Sequence, residues 1–158
     1  MLSQLNQNFK GKRLDRMNQV AEETKKAVGV AGIIVFVTKN VNEAAALQLL
    51  LGGSITVQLR QTEQAVLDFL NGCDKQKILI LLNCDLLKDG SKPFIKKLKS
   101  LWDYPLIAYL PKPQKSLEAA KMIANGANNV LEGPILNEEK TMQIIAETWE
   151  SFDGQILL

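Results

Sequence analysis

Apolar residues fall along this chain in short strand-like runs, each followed by a stretch in which they recur at helical spacing. The run that organises the rest is Ile78-Leu79-Ile80-Leu81-Leu82, consecutive large aliphatics with no polar alternation. Such a run suits a strand buried on both faces, as in a parallel sheet covered by helices. It stops at Asn83-Cys84-Asp85, and Asp89-Gly90 supplies a turn. In an open parallel sheet the carboxyl ends of the strands are where ligands and chemistry collect. Asn83, Cys84 and Asp85 therefore define the first place to look for function.

The other elements follow in order. Residues 31–38 (Ala-Gly-Ile-Ile-Val-Phe-Val-Thr) read as the first strand, rich in β-branched residues. Val41 to Leu51 has Ala44, Ala45, Leu47, Leu50 and Leu51 at helical spacing, with Asn42 as its expected N-cap and Gly52-Gly53 as its stop. Ser54 to Leu59 alternates, as in a strand nearer the sheet edge. Thr62 is placed to cap a helix carrying Ala65, Val66, Phe69 and Leu70, with Glu63 in the first turn, where a carboxylate suits the helix dipole. After the central strand, Lys92 to Leu101 predicts a helix with Phe94, Ile95, Leu98 and Leu101 inward. Its lysines, Lys92, Lys96, Lys97 and Lys99, read as a solvated face or a surface for an acidic partner. Pro105 to Leu110 is a fourth strand, ended by Pro111-Lys112-Pro113. Ser116 to Ala124 is helical with Leu117, Ala120 and Ile123 apolar, and Asn125-Gly126 stops it. Asn129 to Leu131 is a short fifth strand, and Asn137 begins a last helix to about Trp149, burying Met142, Ile145 and Trp149.

Five strands alternating with five helices over short connections predict right-handed crossovers and an α/β, doubly wound, parallel sheet of order 2-1-3-4-5. The expected organisation is an N-terminal helical extension over residues 1–29, a main domain over 30–153 and a short tail over 154–158. In the extension, Leu14, Met17, Ala21 and Val28 share one helical stripe, suited either to an exposed helix or to one that packs on a partner chain.

Composition narrows the function. Histidine is absent, which excludes Ser–His and Cys–His catalysis, histidine metal sites and phosphohistidine chemistry on this chain. The two cysteines, Cys73 and Cys84, are too few for a disulfide scaffold or a metal site. With 19 basic and 17 acidic residues the formal charge is +2, giving no electrostatic case for nucleic acid or a membrane surface. No segment reaches the length of a membrane-spanning helix, and Met1 to Gln7 lacks the layout of a signal peptide.

The order of elements and several strings resemble the receiver domain of bacterial two-component response regulators. The most specific string is Gly126-Ala127-Asn128-Asn129-Val130-Leu131-Glu132-Gly133-Pro134-Ile135, where receivers carry Gly-Ala-acid-acid-aromatic-Leu-x-Lys-Pro. Asp89-Gly90 after the central strand is a second match, and Glu63-Gln64-Ala65 a weaker third. The resemblance covers about residues 31–152 and implies a flavodoxin-like fold. It also implies a chemistry: an aspartate ending the central strand accepts a phosphoryl group, and two acids after the first strand help hold Mg²⁺. A hydroxyl ending the fourth strand and a lysine before the proline bind phosphoryl oxygens. Here the acid pair falls on Thr38 and Lys39, the acceptor on Asn83, the hydroxyl on Leu110 and the lysine on Gly133. An amide is a poor nucleophile without charge for Mg²⁺, and Gly133 has no side chain to offer.

The expectation is thus a degenerate receiver, a pseudo-receiver, acting in signal transduction through phosphorylation-independent protein contacts, with no catalytic residue, metal or cofactor. Lys39 is expected to replace the missing cation by bonding Asn83 or Asp85. By resemblance, the face of the fourth helix, fifth strand and fifth helix carries partner or homodimer contacts, which puts Gln114, Lys115, Glu118, Lys121, Asn128 and Glu139 in play. The N-terminal helix is a second candidate dimer surface. The expected setting is cytoplasmic, with a protein partner and no direct nucleic-acid or membrane binding by this segment. Two alternatives stand beside this reading. One is a small-molecule or anion sensor at the strand ends around Thr38, Lys39, Asn83 and Leu110. The other is a receiver still phosphorylated at a displaced acceptor, Asp85.

Overall fold

The computed structural model describes residues 32–52, 55–73, 77–87, 90–112, 116–135 and 137–156. The N-terminal stripe, the expected contact residues Gln114 and Lys115, and Asp89 of the predicted turn lie outside the described residues. The elements are β1 (Gly32–Val37), α1 (Val41–Leu51), β2 (Ile55–Arg60), α2 (Glu63–Gly72), β3 (Lys77–Asn83), α3 (Ser91–Leu101), β4 (Leu106–Leu110), α4 (Ser116–Ala124), β5 (Asn129–Glu132) and α5 (Glu138–Ile156). A single helical turn, Cys84–Leu87, follows β3 directly and was not legible as a helix in the sequence. All strand pairs are parallel, in the order β2-β1-β3-β4-β5, as predicted.

The unbroken aliphatic run of β3 serves two cores at once, because successive side chains point to opposite faces. Leu79 and Leu81 join Ile34, Phe36, Ile107 and Tyr109 under α1 and α5, where Leu47, Met142, Ile145 and Trp149 close the layer. Ile78, Ile80 and Leu82 join Val35, Val37, Leu106 and Ala108 on the other face, under α2, α3 and α4. The first core also holds the Phe36 and Tyr109 rings edge to face, centroids 6.0 Å apart.

Local chemistry sets the helix ends. Thr62 caps α2 as expected, its hydroxyl accepting from the Ala65 amide at 3.1 Å. The N-cap of α1 is Asn40, two residues before the expected Asn42; its Oδ1 accepts from the Glu43 amide at 3.1 Å. In return the Glu43 carboxylate accepts from Asn40 Nδ2 at 2.8 Å, a side-chain variant of the capping box. The last helix extends past the expected end at Trp149 to Ile156.

Two surface expectations change, and α4 shows its own pattern. Leu101 does not point inward but is 55% exposed at the end of α3. On α4 the residue that reaches the core is Met122, while Leu117 (62%) and Ile123 (47%) stay exposed. Lys99 is not on a solvated face: its Nζ donates to the Tyr104 carbonyl at 2.8 Å and to Asn128 Oδ1 at 3.0 Å. Burial pushes its pKa below the ordinary lysine value, and nearby Asp103 opposes that shift.

Candidate functional site

The sheet brings Thr38, Asn83, Leu110 and Gly133 to one end, at or just beyond the carboxyl ends of β1, β3, β4 and β5. Thr38 has no exposed surface and Asn83 is 8% exposed. They are bonded to each other: Asn83 Nδ2 donates to Thr38 Oγ1 at 3.1 Å. The same hydroxyl oxygen accepts from the Asn40 amide at 3.1 Å. Asn83 Oδ1 accepts from the Asp85 amide at 3.0 Å, which ties the strand end to the helical turn beyond it. The carboxyl ends of β1 and β3 thus meet in a buried, neutral hydrogen-bonded pair.

Lys39 is exposed and makes no bond to Asn83 or Asp85 among the described residues, so the expected Lys39 lock is replaced by one built on Thr38. The reason is geometric. Thr38 continues directly from β1, its amide donating to the Arg60 carbonyl at 3.0 Å, and its short side chain points inward beside Asn83. The long ammonium of the next residue keeps its hydration instead. Asp85 is exposed on the helical turn. Among the described residues no group of His, Cys, Asp and Glu is placed to hold a metal ion.

Leu110 is buried, 3% exposed, in the core under α2 to α4. Gly133 is the most constrained of the positions. A Cβ added there would lie 2.6 Å from the Pro111 carbonyl oxygen and 2.8 Å from its Cα. The chain leaving β4 thus occupies the space through which a side chain at residue 133 would have to leave. The Gly133–Pro134 bond is cis, and the Gly133 amide donates to the Leu110 carbonyl at 2.7 Å.

The hydrogen bonds continue beyond the expected residues. From Thr38 they pass to Asn40 and Glu43, and the phenol of Tyr109 donates to the second Glu43 oxygen at 2.5 Å. Tyr109 in turn accepts from the Ile135 amide at 3.3 Å. Burial, and then the adjoining Glu43 carboxylate, raise the Tyr109 pKa, so the phenol stays protonated and donating. Beside this network is a half-open cavity of about 380 Å³ lined by Asn40, Asn42, Glu43, Tyr109, Pro134 and Ile135, among others. The network was missed from the sequence, although two signals were present. Asn40-x-x-Glu43 has the spacing of a capping box, and a tyrosine inside a buried strand needs a partner for its hydroxyl.

Cys84 is a buried thiol. Burial pushes its pKa up to about 12, outweighing the lowering influence of Ser91, whose hydroxyl donates to the Cys84 carbonyl at 2.9 Å. Of the expected contact residues, Glu118 sits between Lys92 (3.6 Å) and Lys121 (3.4 Å), and these cations hold its carboxyl below the usual range. Asn128 is exposed, but its carbonyl oxygen accepts from both Lys99 and the Leu106 amide, so it pins the start of β4. Glu139 is exposed on the first turn of α5.

No protein-family model and no curated protein matches the sequence. Solved structures do resemble it. The receiver domain of the TMAO respiratory system response regulator TorR aligns with a TM-score of 0.61 at 14% identity, covering 75% of this chain and 97% of that one. A response regulator receiver protein from Pseudoalteromonas atlantica gives 0.54 at 18% identity, over 73% of this chain and 98% of that one. A protein described as the pilus assembly protein CpaE, from Burkholderia thailandensis, gives 0.59 at 16% identity, over 78% and 98%. The chain has the receiver fold.

Proposed function

We propose that this chain is a receiver-type signalling domain that works through protein contacts, its phosphoryl switch replaced by a fixed neutral lock. The observation that carries this reading is the Thr38–Asn83 bond, buried at the place where the fold's chemistry requires ionised carboxylates. Phosphoryl transfer needs a carboxylate nucleophile and a metal site of anionic oxygens. An amide and a hydroxyl already satisfied by each other supply neither. Gly133 supports the same conclusion, because backbone occupies the path a lysine side chain would take.

Contact then falls to the surface. Leu117, Ala120 and Ile123 form an exposed apolar stripe along α4, bordered by the Lys92–Glu118–Lys121 charges. An apolar centre with a charged rim is the usual anatomy of a protein interface. On this reading the occupant is a protein partner or a second copy of the chain.

Incubation with acetyl phosphate and Mg²⁺, followed by intact mass, tests the lock. The expected outcome is an unchanged mass; gain of one phosphoryl group, at Asp85 or elsewhere, overturns it.

The cavity beside Glu43 favours a second reading, a small-molecule sensor. Its chemistry departs from the anion site expected from the sequence, since the charged group lining it is a carboxylate. A cationic ligand with an apolar body fits better, and a rise in melting temperature with amines but not with anions would support that alternative.

A further inference from the structure

The sheet ends on one side at β2, and that edge is closed by side chains. The Thr38 amide donates to the Arg60 carbonyl, so the even-numbered residues of β2 aim their backbone groups at β1. The odd-numbered ones, Ile55, Val57 and Leu59, aim theirs outward. A row of outward amides and carbonyls is a template for another strand. Here Gln48, reaching over from α1, occupies it. Its Oε1 accepts from the Val57 amide at 2.7 Å, and its Nε2 donates to the Ile55 carbonyl at 2.9 Å and to the Gly52 carbonyl at 3.2 Å. One carboxamide thus makes the pair of bonds that a residue of a parallel neighbouring strand would make, and takes the Val57 amide that any added strand would need. At the other end of β2, Arg60 Nη1 donates to the Leu59 carbonyl at 2.7 Å while the guanidinium carbon sits 4.6 Å from the Phe69 ring centre. Between them these side chains occupy the Ile55 carbonyl, the Val57 amide and the Leu59 carbonyl, which interrupts the outward row.

We propose that the β2 edge is a latent strand-pairing surface for a second copy of this chain, held shut by Gln48 and Arg60. The sequence of the strand fits that occupant. Ile55-Thr56-Val57-Gln58-Leu59-Arg60 has β-branched and aliphatic residues, no proline or glycine, and its single charge at the end. Two copies paired antiparallel about a two-fold axis put their Arg60 residues at opposite ends, so the charges separate. Val57 and Leu59 are half-buried in the monomer, and pairing would cover them further. Joining the edges would continue each five-stranded sheet into its neighbour.

A plain structural staple between α1 and β2 would also use Gln48, and the two roles separate by concentration. In the full chain, Gln48→Leu removes the carboxamide while keeping bulk, and Gln48→Glu keeps an acceptor for Val57 and adds a repelling charge. Light scattering over a wide concentration range is the measurement. The expected result is that Gln48→Leu approaches twice the wild-type mass as concentration rises, whereas Gln48→Glu stays at the wild-type mass. A staple alone predicts lower stability at every concentration with no change in mass, and that result overturns the proposal. Should Gln48→Leu not fold, the milder Gln48→Met is measured in the same way: a mass that rises toward twice the wild-type value with concentration supports the proposal, and an unchanged mass overturns it.

Discussion

At the scale of single residues, Thr38 and Asn83 place a pair of neutral dipoles, bonded to each other, at the buried ends of β1 and β3. A buried charge must be paired, hydrogen-bonded or metal-bound, whereas an amide and a hydroxyl need only satisfy each other. Thr38 Oγ1 serves two donors, so Thr38→Val, similar in shape, leaves Asn83 Nδ2 and the Asn40 amide without their acceptor. The expected cost is about 1–3 kcal/mol of stability, measured by urea unfolding. A change within about 0.5 kcal/mol, the range of ordinary surface substitutions, contradicts the lock. Lys99 teaches a related point. Its spacing among the other lysines read as solvated, yet its ammonium is held by the Tyr104 carbonyl and Asn128. Which lysine of a basic face is recruited depends on the carbonyls that meet it, and here one of the two, on Asn128, lies 29 residues away in sequence.

At the scale of elements, the loops after β4 and β5 approach so closely that residue 133 has no room for a Cβ. Because the clash is with backbone, no rotamer relieves it. Gly133→Ala is expected to destabilise by about 1–3 kcal/mol, like other overpacked sites, and chemical denaturation checks it. Gly133→Lys is expected to lose at least as much. Helix ends show the opposite case, where local chemistry suffices. The Thr62 cap is readable from its own neighbours, and so in principle is Asn40 with Glu43, since both bonds close within a few residues. The exposed stripe of α4 was not readable in this way. Leu117, Ala120 and Ile123 have the spacing of a buried face, but the sheet receives Met122 instead.

At the scale of the whole molecule, the Glu43–Tyr109 bond links α1 to β4 across the top of the first core. Its pH dependence has a definite sign. The phenol has an ordinary pKa of 10.0 when unfolded and a raised one when folded, so above pH 10 the unfolded state loses its proton first. The contribution of Tyr109 is therefore full below pH 10 and is lost as pH rises further, at a slope of up to roughly 1.4 kcal/mol per pH unit. The difference in unfolding free energy between wild type and Tyr109→Phe is expected to be constant from pH 7 to about 10 and to fall in favour of the variant beyond it. Using the difference cancels other groups, such as Lys99, whose lowered pKa works in the opposite direction.

The sequence by itself determined the strand order, the two-faced burial of Ile78 to Leu82, and the helix that buries Met142, Ile145 and Trp149. Those are matters of periodicity and residue type, which depend on neighbours along the chain. Tertiary structure alone decided that Thr38 rather than Lys39 meets Asn83, that Tyr109 reaches Glu43, that Pro111 fills the space beside Gly133, and that Gln48 closes the β2 edge. Each is a contact across strands or between a helix and a strand. Its distance follows from how the sheet twists and the helices settle on it, and no local pattern carries that information.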